Sequence, residues 1–256
     1  MAKQIGFTTI SGSLGETTFL NTKKGNQARE KTRSIAPYIK SSPTFARTRE
    51  NNSEFARASK AAKLIKAALF PVVRTADGHT GFSLLIRKMM SIIQKDMINK
   101  RGQRNITSGP LHHLEGFRFT NDISLNSVVS IPFQVFLNRH SGVLSLTIPT
   151  FIPATSVKAP ARATHFKFLT VGVELLIDRQ QYIRELHETL PMVYDDNLTT
   201  SITIDHIVTP ASTQPLMLAL RIQFLYLVGN QMIPIMNSTV NAAGILKVDQ
   251  PQGGLP

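Results

Sequence analysis

Apolar and polar positions change period twice along this chain. At the start, the short runs IGFTTI and TTFLNT alternate with the turns SGSLGE and KKGN, where Gly12, Gly15 and Gly25 supply backbone conformations that other residues resist. This pattern predicts a β-hairpin or small meander, followed by the basic stretch QAREKTR. From Phe45 to Leu69 the period becomes helical. Phe55, Ala58, Ala62, Ile65 and Leu69 recur at steps of three and four, Arg57, Lys60, Lys63 and Lys66 cover the rest of the surface, and Pro71 closes the segment. Beyond the turn RTADGHT a second helix is predicted over about Gly81 to Ile98, with Phe82, Ile86, Met89, Ile93 and Met97 on one side.

After KRGQRN the period switches to strands for the rest of the chain. The runs are LEGFRFT, VVSIPFQVFL, GVLSLTIPTF, THFKFLTVGVELLI, TTSITIDHIV, PLMLALRIQFLYLV and a last stretch around IPIMNSTV and GILKV. Pro, Gly, Asn and Asp clusters separate them and no helical crossover lies between, which favours an antiparallel sandwich over a parallel sheet. QYIRELHETL, at 181–190, reads as a short helix or a polar edge. The expected fold class is therefore α+β: a basic β-hairpin arm (1–43) and a helical hairpin (44–108), followed by a mainly antiparallel β-sandwich (109–250) and a tail (251–256) that is flexible or orders on a neighbour.

Charge divides the chain more sharply than composition does. Residues 1–110 hold 20 Lys and Arg against 6 Asp and Glu; the remainder holds 9 against 10. Such asymmetry points to a basic arm or face that meets polyanions beside a neutral part with another job. No cysteine occurs, which excludes disulfides, thiolate metal sites and cysteine nucleophiles. No apolar run is long enough to span a bilayer, and the first residues lack the features of a secretory signal, so synthesis and folding in the cytoplasm are expected.

Catalytic signatures are missing. Among the seven histidines, only His112 and His113 are adjacent, and no metal-ligand spacing supports them. Asp195 and Asp196 beside Asn197 read as turn chemistry, and SGSLGE, set between strands, is a turn and not a phosphate loop. No nucleophile elbow is present. Neither a catalytic residue nor a cofactor or metal site is nominated, and a non-enzymatic role is expected.

Three basic clusters remain as candidate polyanion or inter-subunit contacts. Lys23, Lys24, Arg29, Lys31 and Arg33 lie in and after the hairpin; Arg47 and Arg49 precede the first helix; Lys100, Arg101 and Arg104 occupy a Gly-containing loop after the second. Phosphate contact through them would be nonspecific and salt-sensitive. The competing use is pairing with carboxylates such as Glu30, Glu50 or Glu54, from this chain or another copy.

Several segments together, GSLGETTFLNTKKGNQAREK, FARTRENNSEFARASKAAKLIKAAL, RGQRN, LEGFRF, ATHFKF and LYLVGNQMIPIMN, resemble a widespread family of uncharacterised Bacteroidota proteins across most of the chain. The resemblance implies no activity, cofactor or site residue. Taken with the pattern, the expectation is a structural protein that assembles with copies of itself into a filament, tube or shell through its β-arm and sandwich edges. The alternative is a nucleic-acid-binding protein, such as a phage-like coat, using the basic half.

Overall fold

A computed structural model of the chain describes residues 2–3, 10–23, 25–31, 35–73, 78–119, 123–236 and 241–251. The candidate cations Lys24 and Arg33, the tail from 252 onward, residues 74–77 of the inter-helical turn and residues 237–240 lie outside the described residues. The chain forms two compact units, Met1–Arg49 and Glu50–Pro256.

The smaller unit is an antiparallel sheet with strands β1 (Ala2–Lys3), β2 (Gly12–Leu14), β3 (Thr17–Thr22) and β4 (Gly25–Glu30) in the order β1-β4-β3-β2. Leu14 pairs with Thr17 across a two-residue turn, which Gly15 makes possible at φ 57°. Helix α1 (Ala36–Ser41) and a 3-10 turn at Pro43–Phe45 follow. Arg49 donates from one Nη to the carbonyls of Ile39 and Ser42, both at 2.8 Å, and so satisfies the end of α1. None of residues 10–23, 25–31 and 35–49 is buried.

The larger unit continues through α2 (Ala46–Ala68), α3 (Phe70–Val73), α4 (Gly78–Gln94), a 3-10 turn at Leu111–Leu114 and α5 (Leu125–Val128), where Ser124 and Ser127 form a reciprocal cap. Then come β5 (Gln134–Asn138), β6 (Val143–Ile148), α6 (Pro153–Ser156), β7 (His165–Leu176), β8 (Gln181–Glu188), β9 (Met192–Val193), β10 (Ile202–Ile207), β11 (Leu216–Val228), β12 (Gln231–Pro234) and β13 (Ala243–Asp249). All strand pairs are antiparallel, so the expected α+β class with antiparallel sheets is what the chain adopts.

β7 and β11 lie at the centre of the large sheet, β8 and β9 flanking β7 on one side, β12 and β13 flanking β11 on the other. Their side chains alternate between two cores. Val171, Val173, Leu175, Met217 and Ala219 pack with Ala58, Ala62, Ile65 and Leu69 of the α2 stripe and with Met89 and Ile93 of α4. Phe166, Phe168, Leu216, Leu218, Leu220 and Phe224 face the second sheet, β10-β6-β5, and meet Leu144, Leu146 and Ile148. Each fully buried large apolar side chain contributes about 1.5–3 kcal/mol relative to exposure. Polar ties join the layers. Arg184 of β8 donates to the Ala67 and Ala68 carbonyls at the end of α2. Arg139 forks onto Asp249, and the buried Glu174 accepts Ser212 Oγ and Thr209 N–H.

The apolar stripe of the helical hairpin and the sheet share a core. Two local expectations change. The second helix stops at Gln94, since the Asp96 carboxylate captures the Ile98 and Asn99 N–H groups, and Met97 is exposed in place of facing the core. The described part of LEGFRFT, residues 114–119, is largely irregular, meeting β13 through the Gly116 N–H to the Ile245 carbonyl and an isolated Arg118–Gly244 bridge; of the two readings of 181–190, the structure has the edge, as strand β8 and its exit.

Candidate functional site

The basic loop Lys100–Arg104 is built as a rigid element. Asp96 is buried and accepts four hydrogen bonds, from Ile98 N, Asn99 N, Asn99 Nδ2 and Asn105 N. Burial alone would push its carboxyl up, but these donors hold it below the ordinary carboxylate range. From one turn of α2, Glu54 accepts the Gly102 N–H at 2.7 Å while Arg57 donates to the Gly102 and Arg104 carbonyls at 2.9 and 2.8 Å. Gly102, at φ 82°, lies so close to Glu50 that a Cβ would come within 2.8 Å of its Cγ. Thus the stretch RENNSEFAR and the stretch RGQRN are one device, in which helix side chains replace the hydrogen bonds that the loop backbone would otherwise make with water.

The sequence-nominated cations divide accordingly. Arg101 pairs with Glu50 at 3.5 Å, and Arg104 is half-buried, its carbonyl taken by Arg57. Arg49 is committed to α1. Lys23, Arg29, Lys31, Arg47 and Lys100 are exposed. The structure brings Lys100, Arg101 and Arg104 together on the loop, and Lys23, Arg29 and Lys31 on or beside the small sheet. Next to the loop cations stand Met97 and Ile98, 92% and 78% exposed, which Asp96 holds outward.

A second constellation has no local signature. His206 of β10 is fully buried against β7, its Cβ so near Gly172 that a Cβ there would sit 2.5 Å away. Its Nδ1 accepts the Gly172 N–H at 3.2 Å, and its Nε2 lies 3.0 Å from Thr170 Oγ1. On β8, directly opposite Thr170 and Gly172, are His187 and Glu185. The two rings meet edge to face at 4.9 Å, Glu185 Oε1 stands 3.2 Å from His187 Nε2, and Glu185 Oε2 accepts the Ile207 N–H. Burial and the neighbouring His187 push His206 down to about 4. Burial would raise Glu185, but the Ile207 N–H and His187 hold it low.

Glu185, His187 and His206 offer donor atoms within 4.8 Å of one another, a set that zinc favours by ligand type. The tautomer opposes that use. Because Nδ1 of His206 accepts from Gly172, the ring's own proton is on Nε2, facing Thr170, and neither nitrogen presents a lone pair to an ion. Nor is the cluster a nucleophilic site, since Thr170 is completely buried. The arrangement acts as a staple: β8, at one edge of the large sheet, grips β10, at one edge of the small sheet, and occupies a backbone donor of β10.

Beside the staple, a groove of about 740 Å³ runs between the β8–β9 connection and β10. Leu190, Val193 and Leu198 are exposed along it, at 85%, 53% and 67%, and its charged lining consists of Glu188, Asp195 and Asp205, without Lys or Arg. His112 and His113, the adjacent pair singled out from sequence, stack edge to face on a 3-10 turn, His113 beside Lys95. No family model, curated protein or solved structure matches this chain.

Proposed function

We propose that the chain is a non-enzymatic structural protein that assembles with copies of itself, and that its N-terminal sheet is an assembly element. One observation carries this reading: the small unit is built on a four-stranded sheet, and none of residues 10–23, 25–31 and 35–49 is buried. A sheet of such short strands without an apolar face against a partner is marginal in water. It leaves Ile10, Leu14, Ile35 and Tyr38 exposed, and among the described residues β1 and β2 are its outer strands, the edges that strand addition would use.

Nucleic-acid binding is the lesser reading, because Arg49 and Arg57 serve backbone carbonyls and Arg101 pairs with Glu50 within the chain. The test is deletion of residues 1–35, followed by sedimentation, electron microscopy and the ratio of absorbance at 260 and 280 nm. The expected result is particles free of nucleic acid from the full chain and none from the truncated one, which still melts cooperatively. Identical particles from both would overturn the role of the arm.

A further inference from the structure

The larger unit carries two exposed features of opposite character at opposite corners of its sheet. The loop that holds Met97 and Ile98 lies beside the end of β13, where Gln250 bonds to Thr107 and Leu111. There Asp249 pairs with Leu216, and Leu216 pairs with Glu174 at the far end of β7. The groove lies beyond the other flank of the sheet, where β9 pairs with His165 and Phe166 at the beginning of β7. At about 3.3 Å per residue, His165 and Glu174 are roughly 30 Å apart.

The two features match in chemistry. Two apolar side chains protrude from the loop, with Lys95, Lys100 and Arg101 around them; the groove exposes three apolar side chains, with Glu188, Asp195 and Asp205 around them. Glu188 already pairs with Lys167, so Asp195 and Asp205 are the complementary charges. The loop is also preorganised, since the Asp96, Glu54 and Arg57 hydrogen bonds fix its backbone before any contact forms, and ordering costs little on binding. Exposed Met adapts its shape to a partner surface, and Met is enriched at protein interfaces.

We propose that the Met97–Ile98 tip of one copy seats in the Leu190–Leu198 groove of the next, with Lys100 facing Asp195 and Asp205. The proposal rests on the self-assembly reading for its partner, and the particles need this contact as well as the N-terminal arm. Tip and groove lie at opposite corners of one unit, so the contact made reciprocally closes a two-fold pair, and made in one direction it builds a ring or a filament.

The test uses two full-length variants, both altered only at exposed positions: Met97→Glu with Ile98→Glu in the loop, and Leu190→Lys with Leu198→Lys in the groove. Circular dichroism and melting verify the fold of each. In sedimentation velocity, each variant alone should lose at least tenfold in self-association relative to wild type. Mixed together, they should form a heterotypic pair, because each keeps the half that the other lacks, and raised salt should weaken it. If wild type associates and both variants associate as it does, or the mixture shows no heterotypic contact, the tip-and-groove contact is wrong and self-assembly stands. If wild type stays monomeric at its highest soluble concentration, both proposals fall.

Discussion

The two units solve the problem of a β-sheet in opposite ways. In the larger unit every residue of β7 from Phe168 to Leu175 is buried, helices covering one face and a second sheet the other. In the smaller unit, strands of two to six residues pair in good register, and β2, β3 and β4 bury no residue. Backbone pairing is common to both; two-sided cover is not. Hydrogen bonding therefore defines the small sheet's geometry, whereas its persistence depends on what it touches.

The sharpest way to break this comparison is to place the same charge in each unit. Ile65→Asp puts an unpaired carboxylate into the helix–sheet core, where the native side chain is 1% exposed, and should cost about 4 kcal/mol or more, visible as loss of cooperative melting near room temperature. The matching change in the small sheet, Leu14→Asp, is the last in this series because its expected effect on melting is the smallest.

Acid provides the second test. His206 falls to about 4 from an unfolded value near 6.5, so the unfolded chain binds the extra proton first. The stability from its neutral form is complete above the unfolded value and declines as pH falls from about 6.5 to about 4, by up to about 3 kcal/mol. Glu185 and Asp96, both held below their ordinary values, add losses in the same direction as pH falls further through their folded values. Denaturant titrations across pH 7 to 4 should show the decline, and His206→Gln should flatten its upper part. A third test is Gly172→Ala, whose Cβ collides with the His206 Cβ and should cost about 2 kcal/mol in a chemical melt by overpacking.

How these features could be read from sequence differs residue by residue. The α2 stripe was visible because Ala58, Ala62, Ile65 and Leu69 obey one local period. β7 and β11 were visible as strands, whereas the burial of Thr170 and Glu174 within β7 was not, because each gains its cover only from distant elements. What lay beyond reach was pairing at long separation. Glu54 and Arg57 are ordinary charges on a basic helix until the loop some 45 residues later meets them. His187 and His206 come together only because β8 and β10, members of different sheets, pass each other, so no spacing rule finds them. Phe55 fits the stripe by period yet is exposed, whereas Glu54 beside it is buried.

Leu14→Asp, at a position 73% exposed, should change the melting of the chain by less than about 0.5 kcal/mol while weakening assembly in sedimentation. Equal damage to melting and assembly would show that the small sheet is a stabilising part of each subunit, and erase the contrast between the units.

The central position of β11 also sets a timetable for synthesis. Both cores need it, Met217 and Ala219 on one face and Leu218 to Phe224 on the other, and it is among the last elements to leave the ribosome. Until about residue 228 has emerged, β7 has no partner on that side, and its apolar faces stay open to other chains. All four strands of the small sheet precede residue 31 and leave the ribosome long before β11. Nascent chains thus carry those strands in the open while their cores are still waiting for the strand that closes them.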